Sequence, residues 1–208
     1  MKPVIALTKG RLEKQFLHYY EALGYDIDPL IDKGRKLRVD TNDFQFIFAK
    51  GPDVATYVQY GIADLGIVGG DILAEFQPDV FDLFPLPFGA CRMAVATEEG
   101  KVWSNGKKRI ASKYTGITKA FYKEKGESVD IIKLEGSVEL APILGLSDAI
   151  VDIVETGNTL LENGLVVEEE FMHFSARLIA NRSALKIKRA ALQPVIEKLE
   201  PKGAQPND

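Results

Sequence analysis

The chain has 208 residues, 46% hydrophobic and 27% charged, the composition of a globular protein rather than a disordered one. Thirty Asp plus Glu against 26 Lys plus Arg leave a net charge of −4, which offers nucleic acid no electrostatic footprint. A single cysteine, Cys91, excludes an internal disulfide and any CxxC motif, and two histidines, His18 and His173, leave little for a His-rich metal centre or a His-based triad.

In chain order, Val4 to Leu7 reads as a buried strand, far too short for a signal-peptide core. Lys9-Gly10-Arg11 follows, then a helix with Leu12, Phe16, Leu17, Tyr20 and Leu23 on one face and Gly24 as its C′ residue. The basic run Gly34-Arg35-Lys36-Leu37-Arg38 is expected on a loop or strand edge. Phe44 to Ala49 is a strand, and Asp53 is expected to cap the helix that carries Val54, Tyr57 and Val58 to Gly61. Leu65 to Val68, a short helix through Ile72 and Phe76, and Asp82 to Leu86 complete the first half.

The second half begins near Cys91, taken as a small core residue. Strands are expected at 92–97, 109–112, 129–134, 149–154 and 175–181, with a polar loop over 98–108. Helices are expected at 118–125, 138–144, from Thr159 to near Gly164, and over 184–199 with a kink at Pro194. His173 falls on a loop, and the tail after Pro201 reads as frayed. Short apolar runs alternating with helical patterns predict an α/β protein of mostly parallel strands, in two lobes with a ligand cleft beyond the strand ends. No stretch approaches the roughly 20 apolar residues of a membrane helix, so a cytoplasmic protein is expected.

Three segments carry candidate chemistry. In Asp152 to Leu160 a buried strand feeds a Gly-containing turn that opens a helix. Backbone N–H groups with the hydroxyls of Thr156 and Thr159 can cradle a phosphate there, Gly157 permits close approach, and Asp152 and Glu155 can accept sugar hydroxyls. Equally, Thr156 or Asn158 can simply cap the helix. Lys9 and Arg11 flank a glycine at a strand end; cations at a helix N-terminus oppose its dipole, which an anionic ligand offsets. Glu135-Gly136-Ser137-Val138-Glu139 is a further strand–turn–helix junction, with Ser137 as a candidate N-cap and Gly136 leaving room for a flat ligand.

Together these segments resemble the catalytic subunit of ATP phosphoribosyltransferase. The resemblance runs through Ala6-Leu7-Thr8-Lys9-Gly10-Arg11, Asp53 to Val58 with Gly61, Asp64-Leu65-Gly66-Ile67, Arg109 to Tyr114, Gly136 to Pro142, Asp152 to Leu160 and Asn163-Gly164-Leu165. It implies two lobes like a type II periplasmic binding protein, residues 1–90 plus 177–208 and residues 91–176, with the active site in the cleft between lobes. It implies transfer of phosphoribosyl from phosphoribosyl pyrophosphate to N1 of ATP with release of pyrophosphate, the first step of histidine biosynthesis. Mg²⁺ is then expected on the substrate phosphates rather than on a protein cage. By the same resemblance Glu155, Thr156, Gly157, Asn158 and Thr159 hold the 5′-phosphate and Asp152 lies near the ribose hydroxyls. Lys9, Arg11 and Arg35 act on the pyrophosphate, Arg11 and Arg35 as catalytic groups, while Glu135, Gly136, Ser137 and Glu139 line the adenine pocket.

The length resembles the short family form, which forms a dimer alone and a hetero-octamer with a histidyl-tRNA-synthetase-like regulatory subunit. Two positions depart from the family pattern: Lys50-Gly51-Pro52 where an arginine is common, and Gly69-Gly70 where a lysine is often found. The competing readings are a two-lobed small-molecule binding module without catalysis and a phosphoribosyltransferase of the Rossmann-like type. The latter's loop has two adjacent acids, whereas Asp152 and Glu155 are three apart.

Overall fold

The computed structural model describes residues 2–101 and 106–201; the centre of the expected polar loop and the tail beyond Pro201 lie outside them. The chain folds as two compact units, residues 1–89 with 175–208, and residues 90–174.

The first unit is built on a six-stranded sheet, β2-β3-β1-β4-β11-β5. Its strands are β1 (Val4–Thr8), β2 (Arg38–Asp40), β3 (Gln45–Ala49), β4 (Leu65–Gly69), β5 (Phe81–Pro85) and β11 (Ala176–Ala180). β1 runs parallel to β3 and β4, while β2, β11 and β5 join antiparallel. Ile5, Ala6 and Leu7 of β1 are wholly buried, as a central strand covered on both faces requires. Over the sheet lie α1 (Arg11–Ala22), α2 (Asp28–Ile31), α3 (Gly51–Gln59), α4 (Gly70–Phe76), α8 (Ala184–Ile187) and α9 (Arg189–Leu199). One core joins Phe16 and Tyr20 of α1, Phe46 and Phe48 of β3, and Leu192, Val195 and Leu199 of α9. The Tyr19 hydroxyl donates to the Leu199 carbonyl at 2.9 Å. Buried Asp64 accepts the Val4 N–H (2.9 Å) and Lys188 Nζ (2.8 Å), so the C-terminal helices are tied to the first strand.

The second unit carries a five-stranded sheet, β10-β6-β9-β7-β8. Its strands are β6 (Cys91–Glu98), β7 (Lys108–Ser112), β8 (Val129–Lys133), β9 (Ala149–Val154) and β10 (Leu165–Phe174), with helices α5 (Thr115–Glu124), α6 (Leu140–Ile143) and α7 (Asn158–Glu162). β7 is parallel to β8 and β9; β6 is antiparallel to β9 and β10. Its core gathers Ala96, Ala111, Val138, Ile150, Val154, Leu160 and Leu165.

Several expectations are corrected. Both sheets are mixed rather than mostly parallel, because β11, β5, β6 and β10 return antiparallel. A lobe boundary at residue 177 would cut β11, whose first residue Ala176 already pairs with Gly69. Lys50, not Asp53, is the N-cap of α3; Asp53 sits in its first turn, where a carboxylate still favours the dipole. The Gly34–Arg38 run leads into edge strand β2 and follows α2, which had no sequence signal of its own. Cys91 is half-buried at the start of β6 rather than in the core. His173 lies in β10, not on a loop; that edge strand has two bulges, which break the period-two pattern that would have revealed it. The final helix breaks at Lys188, whose side chain reaches Asp64, and not at Pro194, which sits inside α9. The carbonyl four residues before Pro194 belongs to exposed Ala190, so water can take the missing bond.

Candidate active site

Two strand–turn–helix junctions carry most of the candidate residues, one in each unit, after β1 and after β9. β1 lies between its parallel neighbours β3 and β4, so the connections diverge at its C-terminal end, a position suited to a ligand, whereas β9 lies between antiparallel β6 and parallel β7.

In the first unit β1 ends at Thr8 and α1 starts at Arg11, so Lys9 and Gly10 are the whole connection. The Lys9 N–H donates to the Ala49 carbonyl (2.9 Å), continuing the ladder past the strand. Gly10 has φ 92° and ψ −129°, a region closed to side-chain-bearing L-residues. Its N–H donates to Glu13 Oε2 at 3.4 Å, while Glu13 Oε1 pairs with Lys33 Nζ at 2.8 Å. Both side chains of this pair are shielded, 17% exposed for Lys33 and 13% for Glu13, so solvent screens the pair less than a surface bridge. Lys33 Nζ also lies 4.8 Å from the centre of the Phe48 ring. Lys33 belongs to the turn after α2 that carries Arg35, so one ion pair joins the Lys9–Arg11 turn to the Arg35 turn. Lys9 and Arg35 are exposed and Arg11 half-buried.

The register of β1 on β3 sets Thr8 opposite Ala49, which places Lys50 beside Lys9 at the same sheet edge. Sequence reasoning treated Lys50 only as a departure from a pattern and missed it as a member of the cationic group. The parallel pairing that brings residues 9 and 50 together has no local sequence signal.

In the second unit β9 ends at Val154 and α7 starts at Asn158. The turn between them takes Gly157 to φ 83°, the left-handed region where glycine is favoured. A cavity of about 260 Å³ opens here, lined by Glu139, Asp152, Glu155, Thr156, Gly157 and Thr159, with Ile153, Val154 and Leu160 as its apolar part. The N–H groups of Thr156 and Gly157 have no backbone partner among the described residues, and Thr159 and Leu160 add N–H groups that the first turn of a helix leaves unpaired. The Thr156 hydroxyl accepts the Asn158 N–H at 3.4 Å, and Asn163 Nδ2 donates to the Thr159 carbonyl at 2.8 Å. The Glu155 carbonyl accepts Arg92 Nη1 at 2.8 Å. α7 has only five residues, so the expected help from a helix dipole is small. N–H donors, hydroxyls and carboxylates therefore line one hollow, a donor set for an oxyanion beside acceptors for sugar hydroxyls.

The structure gathers some sequence candidates and separates others. Asp152, Glu155, Thr156, Gly157, Thr159 and Glu139 share the cavity; Asn158 opens α7 and does not line it. Glu135, Gly136 and Ser137 are exposed outside it, with Glu135 paired to Lys133 at 3.0 Å. Ser137 is not an N-cap: α6 begins at Leu140 with Glu139 before it, and Ser137 contributes its carbonyl to the Leu140 N–H (3.2 Å). Its φ of 49° is strained for a residue with a side chain. The Lys9, Arg11 and Arg35 group belongs to the other unit.

The family profile described as HisG: ATP phosphoribosyltransferase matches residues 50–201. The chain belongs to the ATP phosphoribosyltransferase family. A relative of that name from Bacillus cytotoxicus is 52% identical over 201 residues, covering 94% of this chain and 95% of the relative. The solved ATP phosphoribosyl transferase (HisG:HisZ) complex from Thermotoga maritima superposes with a TM-score of 0.81 at 36% identity, over 95% of this chain and 96% of that one. The alkanesulfonate-binding protein SsuA from Xanthomonas axonopodis pv. citri, bound to MOPS, matches 95% of this chain and 71% of its own at a TM-score of 0.59. At 14% identity that likeness concerns the fold alone, the two-lobed architecture of type II periplasmic binding proteins. The short family form fits the length. As a family member the chain is a pentosyltransferase acting at the first step of histidine biosynthesis.

Proposed function

We propose that the chain joins C1 of phosphoribosyl pyrophosphate to N1 of ATP. The turn from Glu155 to Thr159 takes the ribose 5′-phosphate and Asp152 the ribose hydroxyls. Lys9, Arg11 and Arg35, joined by Lys50, take the charge that builds on the departing pyrophosphate. Glu139 faces the acceptor side. The observation that carries this reading is the single hollow in which N–H donors, threonine hydroxyls and carboxylates converge.

The chemistry needs no proton-abstracting base. Adenine N1 attacks with its lone pair and has no proton to lose, so the N1–C1 bond forms as the C1–O bond breaks and the pair leaves with pyrophosphate. Stabilising that developing charge is the main task, and fixed cations are suited to it. Mg²⁺ is part of the same proposal. Among the described residues no three His, Cys, Asp or Glu side chains gather to hold a metal. Asp152 and Glu155 fit only a partial shell completed by substrate phosphates, the habit of Mg²⁺. When bound, the ion neutralises phosphate charge.

A regulatory partner of the HisZ kind, histidyl-tRNA-synthetase-like, belongs to the same reading. The partner is supported by the Thermotoga maritima complex; a hetero-octamer as the assembly, a dimer when the chain is alone and the cytoplasm as its place are further parts of the proposal. Among the described residues no helix is long and apolar enough to cross a membrane. Histidine binding to the polypeptide alone in a calorimetric titration would refute the need for that partner in inhibition.

The decisive experiment follows phosphoribosyl-ATP by ultraviolet absorbance, with and without the regulatory subunit. Thr159→Val is expected to raise KM for phosphoribosyl pyrophosphate about tenfold while KM for ATP stays near wild type, the size of one hydrogen bond to a charged group. An unchanged donor KM would remove the phosphate from this turn.

A further inference from the structure

We infer that Arg92, held by Glu170, is a positioning residue that fixes the phosphate turn in its anion-receiving conformation; this rests on the reading that the turn binds the ribose 5′-phosphate. Arg92 lies on β6 opposite Val154, the last residue of β9. Its Nη1 donates to the Glu155 carbonyl at 2.8 Å and its Nε to Glu170 Oε1 at 2.6 Å. One planar guanidinium thus bonds the first peptide of the turn and, in another direction, the neighbouring strand.

The consequence follows from peptide geometry. In a trans peptide the carbonyl of one residue and the N–H of the next point in opposite directions. Pulling the Glu155 carbonyl onto Arg92 therefore turns the Thr156 N–H away from Arg92, and Thr156 lines the cavity. The cation behind the carbonyl also polarises that peptide, which strengthens the N–H as a donor. Glu155 and Thr156 lie outside both β9 and α7, so neither a strand ladder nor a helix fixes this peptide plane, and the glycine that follows has wide backbone freedom.

Glu170 makes the device rigid. It sits opposite Ala94, two residues from Arg92 on the adjacent strand, where a bulge follows between Glu170 and Met172. Its carboxylate leaves Arg92 little net charge to attract phosphate directly. Arg92 accordingly orients the donors and does not supply the charge. Lysine is a poor replacement because a single ammonium lacks the planar fork that reaches both partners.

The test measures ribose 5-phosphate binding by calorimetry and steady-state kinetics on Arg92→Met, Arg92→Lys, Glu170→Ala and Glu170→Gln. Arg92→Met is expected to weaken ribose 5-phosphate and raise the donor KM about tenfold, with kcat and KM for ATP within about threefold of wild type. Glu170→Ala should give a smaller shift in the same direction, and Glu170→Gln, which keeps an oxygen acceptor, should restore most of the affinity. Arg92→Lys, the mildest change in volume and charge, carries the test if Arg92→Met does not fold, and should also raise the donor KM. A thermal midpoint that falls while donor KM stays unchanged would overturn the inference, making Arg92 merely structural. If Thr159→Val raises the donor KM and the Arg92 variants do not, only this inference fails. If none of them does, the phosphate reading fails with it.

Discussion

The two junctions use the same backbone device with opposite charges. After β1 the side chains on offer are cations, Lys9 and Arg11, and the group beneath them is an acid, Glu13, which receives the Gly10 N–H and pairs with Lys33. After β9 the side chains on offer are carboxylates, Asp152 and Glu155, and the group behind the turn is a cation, Arg92, which holds the Glu155 carbonyl and pairs with Glu170. In each case the supporting ion pair has the charge order that stabilises the turn's own backbone, an acid on an N–H and a cation on a carbonyl.

That contrast can be broken from either side. The largest effect is expected from Arg11→Ala, which should lower kcat on the order of a hundredfold, as removal of one preorganised stabilising donor does. A wild-type turnover at saturating substrates would take Arg11 out of bond cleavage. Next comes Gly10→Ala. A methyl group there meets nothing within 4 Å, so its cost is the backbone alone, about 2 kcal/mol in thermal or denaturant unfolding, with kcat reduced as Arg11 shifts. Gly157→Ala should cost less, about 1 kcal/mol, because the left-handed region is less forbidden and the new Cβ meets only Val154 Cγ1 at 3.8 Å. Its kinetic signature should be donor KM rather than kcat. If both glycine variants changed the same kinetic constant, the division of labour between the turns would be wrong.

The smallest effect concerns acid stability of the second unit. Arg109 donates to Asp148 from its side chain (Nη2 to Oδ1, 3.1 Å) and from its backbone N–H (2.8 Å), holding this carboxyl below the usual carboxylate range. A carboxyl with a depressed folded value stabilises fully above its unfolded value, about 3.9, and loses that contribution as the pH falls through the lower folded value. Asp148→Asn should therefore unfold with a shallower acid dependence below about pH 4, with activity at neutral pH unchanged. An acid-unfolding curve identical to wild type would show that this pair does not couple to folding.

Most strands were legible because buried parallel strands leave short apolar runs, as Val4 to Leu7 and Ala149 to Val154 do, and α1 announced itself through Phe16 and Tyr20 with Gly24 behind them. β10 was not, because its bulges and its run Glu168-Glu169-Glu170 at a sheet edge remove the alternation a half-buried strand shows. Ser137 was misread as a cap because the residue type is right and only the backbone reveals that the helix begins three residues later. Asp152, Glu155, Thr156, Gly157 and Thr159 were found since they lie within one short stretch of chain, one strand end and one turn. Glu13, Lys33, Lys50, Arg92 and Glu170 were not.

By itself, then, the sequence determined the alternation of strands and helices, the family, and the side chains each turn presents, all properties written within a few consecutive residues. Tertiary structure alone decided which groups stand behind those turns. Strand pairing between residues far apart in the chain sets Lys50 beside Lys9 and lets Arg92 bond both Glu155 and Glu170. Such pairing is set by the burial of whole sheet faces and not by any local pattern.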